Sequence, residues 1–379
     1  MQIKLSFISG MFMACVATAS LLSCNNTPKT PEDAQAQTSD SIKDKNDDVS
    51  LKPTGAAPAW GTDIKPEMQV VIEKLQSLGG KPIETLTPAE ARMQPTPTDA
   101  VMGVMKDHNM AMPPAMCDTL GKDIPVTGGT THVRIYTPKD TASKYPVIVY
   151  YHGGGWVIAD INVYNASAQG LCEQAKAIVV SVEYPKGPEH KFPAAHMVSF
   201  DAYKWVLQNA SSWKGDTSKI AVAGESAGGN LAANVSMMAR NKKIKMPLYE
   251  VLVYPVANSD TASESYTKYA DAKPLNKPMM KWFVQNALGS PAVAKDPRIS
   301  LVNADLKGMP PTLIIGAELD PLQTEGKLLS DKFKAANVTT DYKLYDGVTH
   351  EFFGMAAVVP EAKDAQALAV SKLKDAFNK

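Results

Sequence analysis

Cysteine and histidine are both scarce in this sequence, which has four cysteines and six histidines among its 379 residues. Cys117 and Cys172 do not form a C-x-x-C pair, and no histidine lies at the spacing of a metal ligand from either of them. Structural metal sites need such groups of ligands. We therefore expect neither a metal ion nor another cofactor.

An excess of charge of either sign is also missing. Lysine plus arginine and aspartate plus glutamate both number 39, and basic residues form no local cluster. Without a positive surface the chain has nothing to hold the phosphates of DNA or RNA, so nucleic acid is not an expected partner. A P-loop is absent around Gly326-Lys327. The zinc motif H-E-x-x-H is absent too. When His350 is taken as its first residue, the fifth residue is Gly354 and not a histidine.

The N-terminus does carry the parts of an export signal. Lys4 precedes an apolar stretch over residues 5–22, which Ser23-Cys24 follows. This segment resembles a bacterial lipoprotein signal. The resemblance implies that residues 1–23 are removed, that Cys24 becomes a diacylated N-terminus, and that the protein is exported and held in the cell envelope by a lipid anchor. An ordinary cleaved signal and an uncleaved anchor remain as alternatives.

Export would bring Cys117 and Cys172 into an oxidising compartment, where a disulfide between them is one expectation. Two separate buried thiols are the simpler expectation, because the geometry that a disulfide needs cannot be read from a sequence. Whether the two cysteines pair stays open at this point.

Large apolar side chains are nearly missing from residues 24–59, which are rich in Pro, Asp, Lys, Ser and Thr. Such a segment cannot bury enough surface to offset the entropy cost of ordering it. We predict a flexible tether over residues 24–59 and a folded domain over residues 60–379. Helical spacing begins at Pro66, and a second short helix is predicted at residues 88–92 with Thr87 as its N-cap.

Beyond about Thr130, short β-branched runs alternate with longer amphipathic stretches. The predicted strands are Val147–Tyr151, Ala177–Val182, Ile220–Ala223, Tyr249–Val253, Thr312–Ile315 and Thr340–Tyr345. Alternation of strand and helix predicts an α/β fold with a mostly parallel sheet covered on both faces. Residues 258–299 contain helical stretches without a strand between them, which indicates an insertion.

The motif Gly224-Glu225-Ser226-Ala227-Gly228 follows the predicted strand Ile220–Ala223 and precedes a helical run. Gly-x-Ser-x-Gly between a strand and a helix is typical of a sharp turn that exposes a nucleophilic serine. The pentapeptide alone also occurs by chance in loops, but its position between strand and helix favours the catalytic interpretation. We predict that Ser226 is a nucleophile.

A serine hydroxyl needs a base to remove its proton and a carboxylate to orient that base. Of the six histidines in the sequence, only His350 lies downstream of Ser226, and it stands just past the last predicted strand. Asp320 follows the preceding strand immediately before Pro321, at a loop tip, and we prefer it to Glu318 as the carboxylate. The predicted catalytic set is Ser226, Asp320 and His350.

Three consecutive glycines, Gly153-Gly154-Gly155, follow the strand Val147–Tyr151. Acyl transfer places negative charge on the former carbonyl oxygen, and backbone N–H groups are its usual stabilisers. Glycine lets the backbone approach the substrate without a Cβ in the way. We predict oxyanion donors at Gly153, Gly154 and Ala227, although a merely flexible turn is the alternative for any Gly-Gly-Gly sequence.

Taken together, these motifs resemble the hormone-sensitive-lipase-like branch of the α/β-hydrolases, a group of mostly bacterial carboxylesterases. The residues that carry the resemblance are His152-Gly153-Gly154-Gly155-Trp156, Gly224-Glu225-Ser226-Ala227-Gly228-Gly229-Asn230, Asp320-Pro321-Leu322 and His350 with Phe352 and Phe353. The resemblance implies an α/β-hydrolase fold with an eight-stranded sheet and a helical cap formed by residues 60–115 and 258–299. It also implies activity on short acyl esters and a structural role for His152.

Two positions depart from the family pattern. Lys186 and its neighbours replace a segment in which the family usually has an arginine that braces the site, which puts the local packing in question. Ala159 stands where the family often has a glycine, and its methyl group is expected to narrow the acyl side of the pocket.

The function expected from these residues is that of a serine carboxylesterase acting on a small-molecule ester. A ligand-binding protein on the same fold is one alternative, although an intact His350 argues against it. An amidase or peptidase is another, because the same groups cleave amides when the leaving amine is protonated in time. The natural substrate and the oligomeric state, monomer or dimer, are not determined by the sequence.

Overall fold

The computed structural model describes residues 49–379, and an eight-stranded sheet lies at its centre. The strands are β1 (Cys117–Val126), β2 (Gly129–Pro138), β3 (Tyr145–Tyr151), β4 (Ile178–Glu183), β5 (Gly215–Glu225), β6 (Glu250–Val253), β7 (Thr312–Leu319) and β8 (Thr340–Thr349). Their order in the sheet is β1-β2-β4-β3-β5-β6-β7-β8. β1 and β2 pair antiparallel, as do β2 and β4, and the remaining pairs are parallel.

Three helices precede the sheet in the chain, and the helices that follow cover both of its faces. The helices are α1 (Pro66–Ser77), α2 (Pro88–Ala91), α3 (Pro97–Asp107), α4 (Asn165–Ala175), α5 (Ala194–Asn209), α6 (Ala227–Asn241), α7 (Glu264–Lys268), α8 (Lys277–Leu288), α9 (Gln323–Ala335) and α10 (Pro360–Phe377). As predicted, α1 begins at Pro66, and α2 begins after Thr87, whose side chain and that of Glu90 form a capping box.

The two faces of the sheet carry two separate apolar cores. Along β3, Val147 and Val149 belong to one core, whereas Ile148 and Tyr150 belong to the other. Because neighbouring side chains of a strand point to opposite faces, a strand covered on both sides has to be apolar throughout. This explains why the central strands read as unbroken apolar runs in the sequence.

The sheet begins earlier in the chain than the sequence pattern predicted. β1 starts at Cys117 and forms a hairpin with β2 through the two residues Thr127 and Gly128. Gly128 has a φ of +87°, in the left-handed region that favours glycine. β1 is an edge strand, and most of its side chains are exposed. An exposed strand does not need apolar residues, so the sequence of β1 has no apolar pattern from which a strand could be predicted.

The predicted tether is too long at its C-terminal end. Leu51 is buried in the same core as Met68, and the backbone N–H groups of Thr54 and Gly55 donate to the Glu73 carboxylate at 2.8 and 3.0 Å. Residues 51–55 therefore pack on α1, because one leucine and one hydrogen-bonding glutamate suffice to fix an otherwise polar segment. The rest of the predicted tether up to residue 48, the predicted signal at residues 1–23 and Cys24 lie outside the described residues.

The segments expected to form a cap, residues 60–115 and 258–299, contact each other above the sheet. The Trp282 indole N–H on α8 donates to the Leu86 carbonyl at 3.0 Å, which joins the two segments. Trp282, Phe283 and Met280 are buried. Within residues 49–379, no helix has both the length and the apolar character needed to cross a membrane.

Candidate active site

Ser226 lies at the sharp turn between β5 and α6. Its φ of 55° is rare for a residue with a side chain, and its N–H donates to the Val253 carbonyl at 2.9 Å. Two glycines make this turn possible. A Cβ on Gly224 would come within 2.2 Å of the Gly228 carbonyl oxygen, and one on Gly228 within 2.0 Å of the Tyr151 carbonyl oxygen. The strain at Ser226 is therefore maintained by close backbone packing that only glycine permits.

The three residues predicted to act together do lie together. His350 Nε2 is 2.9 Å from Ser226 Oγ, and His350 Nδ1 is 2.7 Å from Asp320 Oδ2. All three side chains are buried, with 5% or less of each residue exposed. Asp320 follows the end of β7 and His350 the end of β8, so neighbouring parallel strands deliver both groups to one edge of the sheet, as the strand order requires.

The Asp320 carboxylate is held on both oxygens. Oδ1 accepts the Leu322 backbone N–H at 2.9 Å, and Oδ2 faces His350. Burial by itself lowers the pKa of His350, but the neighbouring charge of Asp320 and its hydrogen bond outweigh this, so the pKa is raised above its ordinary value. The imidazole is therefore well suited to accept a proton.

Glu318, the other candidate carboxylate, points elsewhere. One of its oxygens accepts the Gly347 N–H at 2.7 Å, which ties β7 to β8 three residues before His350. Its pKa is raised, mainly by burial. The preference for Asp320 over Glu318 agrees with this geometry.

The glycine loop after β3 runs beside the serine. Gly154 and Gly155 line the cavity above Ser226, whereas Gly153 is not among its lining residues. Gly154 has a φ of +97°, and its carbonyl accepts the N–H groups of Val157 and Ile158, which closes the turn. In the loops of residues 49–379, neither the Gly153 nor the Gly154 N–H donates a hydrogen bond to the backbone. Both donors are thus left for another acceptor.

His152 supports this loop from below. Its ring stacks on Tyr184 with 4.2 Å between centroids, and its Nδ1 lies 2.8 Å from the Gly153 carbonyl oxygen. The Tyr184 hydroxyl in turn donates to the carbonyls of His152 and Gly153 at 2.8 and 3.0 Å. Burial lowers the pKa of His152 to about 4, so the ring is neutral at pH 7. These contacts suit the structural role that the resemblance implied.

An arginine from a distant part of the sequence braces the segment around Lys186. Arg92, just after α2, donates to both oxygens of Glu189 at 2.8 and 2.7 Å and to the carbonyls of Gly187 and Val157 at 2.7 and 2.8 Å. Lys186 instead contacts the Glu183 carboxylate and the Ala159 carbonyl. Sequence reasoning missed Arg92 because 95 residues separate it from Gly187 and no local motif marks it.

Above Ser226 and His350 opens a cavity of about 370 Å³. Its walls come from the glycine loop, from Ile158 and Ala159, and from both cap segments. Cap side chains in contact with it are Leu75, Ile83, Pro97, Met279, Met280 and Phe283. Ala159 has a φ of +61°, an unfavourable conformation for alanine, and its methyl group faces the glycine loop. In the cap, Met279, Met280 and Phe283 therefore form part of the pocket wall.

Cys117 and Cys172 are free thiols, and both are buried. The simpler expectation, two buried thiols without a disulfide, agrees with this. A hydrogen bond shared with Cys117, followed by burial, raises the pKa of the Cys172 thiol far above its ordinary value. Among residues 49–379, no group of three or more His, Cys, Asp or Glu side chains is arranged to hold a metal ion.

Comparison with known proteins agrees with this architecture. A family model described as alpha/beta hydrolase fold matches residues 148–354. A carboxylesterase of Mycobacterium tuberculosis, NlhH, is 36% identical over 250 residues, which cover 65% of this chain and 78% of that protein. An ethyl acetate hydrolase of Pseudomonas putida is 30% identical over 251 residues, covering 65% of this chain and 79% of the relative.

Solved structures show the same likeness. The esterase of Pyrobaculum calidifontis superimposes with a TM-score of 0.73 at 33% sequence identity, over 82% of this chain and 98% of that one. The likeness therefore extends well beyond residues 148–354 and includes much of the cap.

Proposed function

Because the chain belongs to the alpha/beta hydrolase fold family, in its hormone-sensitive-lipase-like branch, and is a serine carboxylesterase, we propose that Ser226, His350 and Asp320 are its catalytic residues. The observation that carries this proposal is the unbroken chain of hydrogen bonds from Ser226 Oγ through His350 to Asp320 at the floor of the cavity. Gly153, Gly154 and Ala227 are the proposed oxyanion donors.

In the first half-reaction, His350 Nε2 takes the proton of the Ser226 hydroxyl while the oxygen attacks the ester carbonyl carbon. The resulting oxyanion accepts hydrogen bonds from the backbone N–H groups of Gly153, Gly154 and Ala227. The carbon–oxygen bond to the alcohol then breaks, and His350 returns the proton to the leaving alcohol. In the second half-reaction, His350 takes a proton from water while the water oxygen attacks the acyl carbon. The bond to Ser226 Oγ then breaks, His350 returns the proton to Ser226, and the acid is released.

The proposed substrates are esters of short acyl chains. A cavity of about 370 Å³ is near the lower end of the range for small-molecule sites. Ala159, which stands in place of a glycine, contributes its methyl group to one wall, and Ile158 and Phe283 limit the cavity on other sides. Little room is left for a long acyl chain.

Activity on a series of p-nitrophenyl esters tests this proposal. We expect kcat/KM of the full chain in detergent to be highest for acetate or butyrate and to fall by about tenfold or more at the longest acyl chains, since these must leave the cavity. A matched anilide measured alongside separates an esterase from an amidase. Highest activity on the longest chains would contradict the proposed substrate class, and faster turnover of the anilide would favour an amidase.

We propose, further, that the protein is exported and anchored to the membrane by lipid on Cys24, on the cell-envelope side. The support is the signal-like composition of residues 1–24. In bacteria grown with a radiolabelled fatty acid, we expect label on the wild-type chain and none on the Cys24→Ala variant. Cys15→Ala is the matched control, because this cysteine lies within the removed segment and should leave labelling unchanged. Equal labelling of the wild type and of Cys24→Ala would refute the anchor.

A further inference from the structure

Glu351, the residue immediately after His350, has no role in the mechanism described above. Its backbone is left-handed, with a φ of 72°, and its side chain borders the catalytic cavity. A non-glycine residue keeps such a conformation only when its surroundings hold it there. The contact that holds Glu351 is a hydrogen bond of 2.6 Å from the Tyr164 hydroxyl to its carboxylate.

Tyr164 connects Glu351 to the other half of the site. It is buried, and its hydroxyl oxygen lies only 2.1 Å from the point where a Cβ on Gly153 would stand. The hydroxyl is therefore packed against the backbone of the glycine loop while it donates to Glu351. One side chain thus spans from the loop that carries His350 to the loop that carries the proposed oxyanion donors.

A second acid lies behind this contact. Glu225, which precedes Ser226, accepts hydrogen bonds of 2.5 Å from the hydroxyls of both Tyr150 and Tyr254. Glu225 and Glu351 also border one small cavity of about 20 Å³, which has room for a single water molecule. Burial and the charge of Glu351 raise the pKa of Glu225 to about 7. Burial likewise raises the pKa of Glu351, in spite of the nearby His350.

We propose that Glu351 is a positioning residue of the esterase: its carboxylate holds negative charge next to His350 and, through Tyr164, fixes the histidine loop against the glycine loop. This inference rests on the proposed role of His350 as the proton acceptor for Ser226. Glu351 does not touch the reacting atoms, and it acts through His350 and Tyr164.

The acidic side chains near His350 come from three elements. Asp320 faces it from the loop after β7, Glu225 from the end of β5, and Glu351 from its own loop. The Tyr254 ring, 4.4 Å away between centroids, is the neutral neighbour at the end of β6. Although burial lowers the pKa of His350, these carboxylates together raise it, Asp320 most strongly.

The sign of the expected pH effect follows from this arrangement. His350 accepts the serine proton only as the neutral base, so kcat/KM rises with pH as the imidazolium loses its proton. Removing the charge of Glu351 destabilises the imidazolium and lowers the pKa of His350. The acidic limb of the pH profile must then move to lower pH, while the maximal rate falls because the imidazolium of the transition state has lost a stabilising charge.

The experiment is the pH dependence of p-nitrophenyl acetate hydrolysis by Glu351→Gln, in which the amide oxygen still accepts the Tyr164 hydroxyl. We expect the acidic limb to move down by about half a pH unit to one unit, and kcat on the plateau to fall by about threefold to tenfold. Glu351→Asp, which restores the charge, should return the limb to the wild-type position. Tyr164→Phe keeps the charge but removes the tie, so kcat should fall without a downward move of the limb.

Glu318→Gln is the matched control, because it also neutralises a partly buried glutamate, but one that bonds Gly347 and does not face His350. The acidic limb of the pH profile of Glu318→Gln should coincide with that of the wild type. A Glu351→Gln limb that stays in place in a folded enzyme overturns the proposal. If that variant fails to fold, a displaced limb in Glu351→Asp overturns it instead. Failure of the proposed function is distinguishable, since Ser226→Ala would then remain active whatever happens at Glu351.

Discussion

Ser226→Ala is expected to lower kcat for p-nitrophenyl acetate by about 10⁴-fold to 10⁶-fold, to the level that binding and the oxyanion donors alone can sustain. The substitution removes the oxygen that lies 2.9 Å from His350 Nε2 and leaves no atom to carry the acyl group. It should not change the fold, because alanine occupies the same buried position and can keep the same backbone turn. Steady-state kinetics with the melting temperature measured in parallel checks both expectations.

A fluorophosphonate probe provides an independent readout of the same residue. It should label Ser226 in the wild-type chain, as peptide mapping by mass spectrometry would show, and it should not label Ser226→Ala. Ser236→Ala is the matched control, because Ser236 is also buried on α6 but does not line the catalytic cavity, and its hydroxyl donates to the Ala232 carbonyl at 3.4 Å. Undiminished turnover by Ser226→Ala would refute the proposed nucleophile, and an unlabelled but folded wild type would favour a binding protein.

Asp320→Asn is expected to lower kcat by about 10⁴-fold while the structure stays intact. The amide oxygen can keep the 2.9 Å contact with the Leu322 N–H, which leaves the NH₂ group facing His350 Nδ1. A donor at that place forces the imidazole to carry its proton on Nε2. In that tautomer His350 cannot take the proton from Ser226, and the positive charge that develops on the ring has lost its partner.

The measurement for Asp320 is kcat together with the rate of fluorophosphonate labelling, and both should fall in parallel. Glu318→Gln again is the control, since it neutralises a carboxylate only two residues away that faces Gly347 and not His350. A loss in Glu318→Gln as large as that in Asp320→Asn would mean that Glu318 is the orienting carboxylate, against the contacts described here.

Much of the fold could be predicted because it depends on local or periodic signals. The central strands are apolar throughout since both of their faces are covered, and the helices between them repeat at the helical period. The α/β-hydrolase fold, the membership of the family and the esterase activity were all inferred from these signals and motifs, and all three are confirmed. β1 and β2 were not among the predicted strands. β1 is an exposed edge strand without such a pattern, and β2 begins with two exposed residues and then mixes buried with partly buried ones, so neither is an unbroken apolar run.

Other features depend on contacts between distant residues and carry no local signal. Leu51 and Thr54 fold onto α1 although their surroundings in the sequence are those of a tether. Arg92 braces Gly187 and Glu189 from another part of the chain. In each case one side chain fixes the local structure through a contact with a distant part of the chain. The average composition of a sequence window cannot predict such a contact.

By itself, the sequence determined which groups are available for chemistry: one serine in a strand-turn-helix motif, one histidine downstream of it, and glycines that no other residue can replace. Tertiary structure alone decided what surrounds them. It selected Asp320 over Glu318 by the direction of each side chain, brought Arg92 to the glycine loop, and set Glu351 and Glu225 beside His350. The physical reason is that chemical identity is a property of each residue, whereas electrostatic environment and burial arise only from the distances between residues that folding brings together.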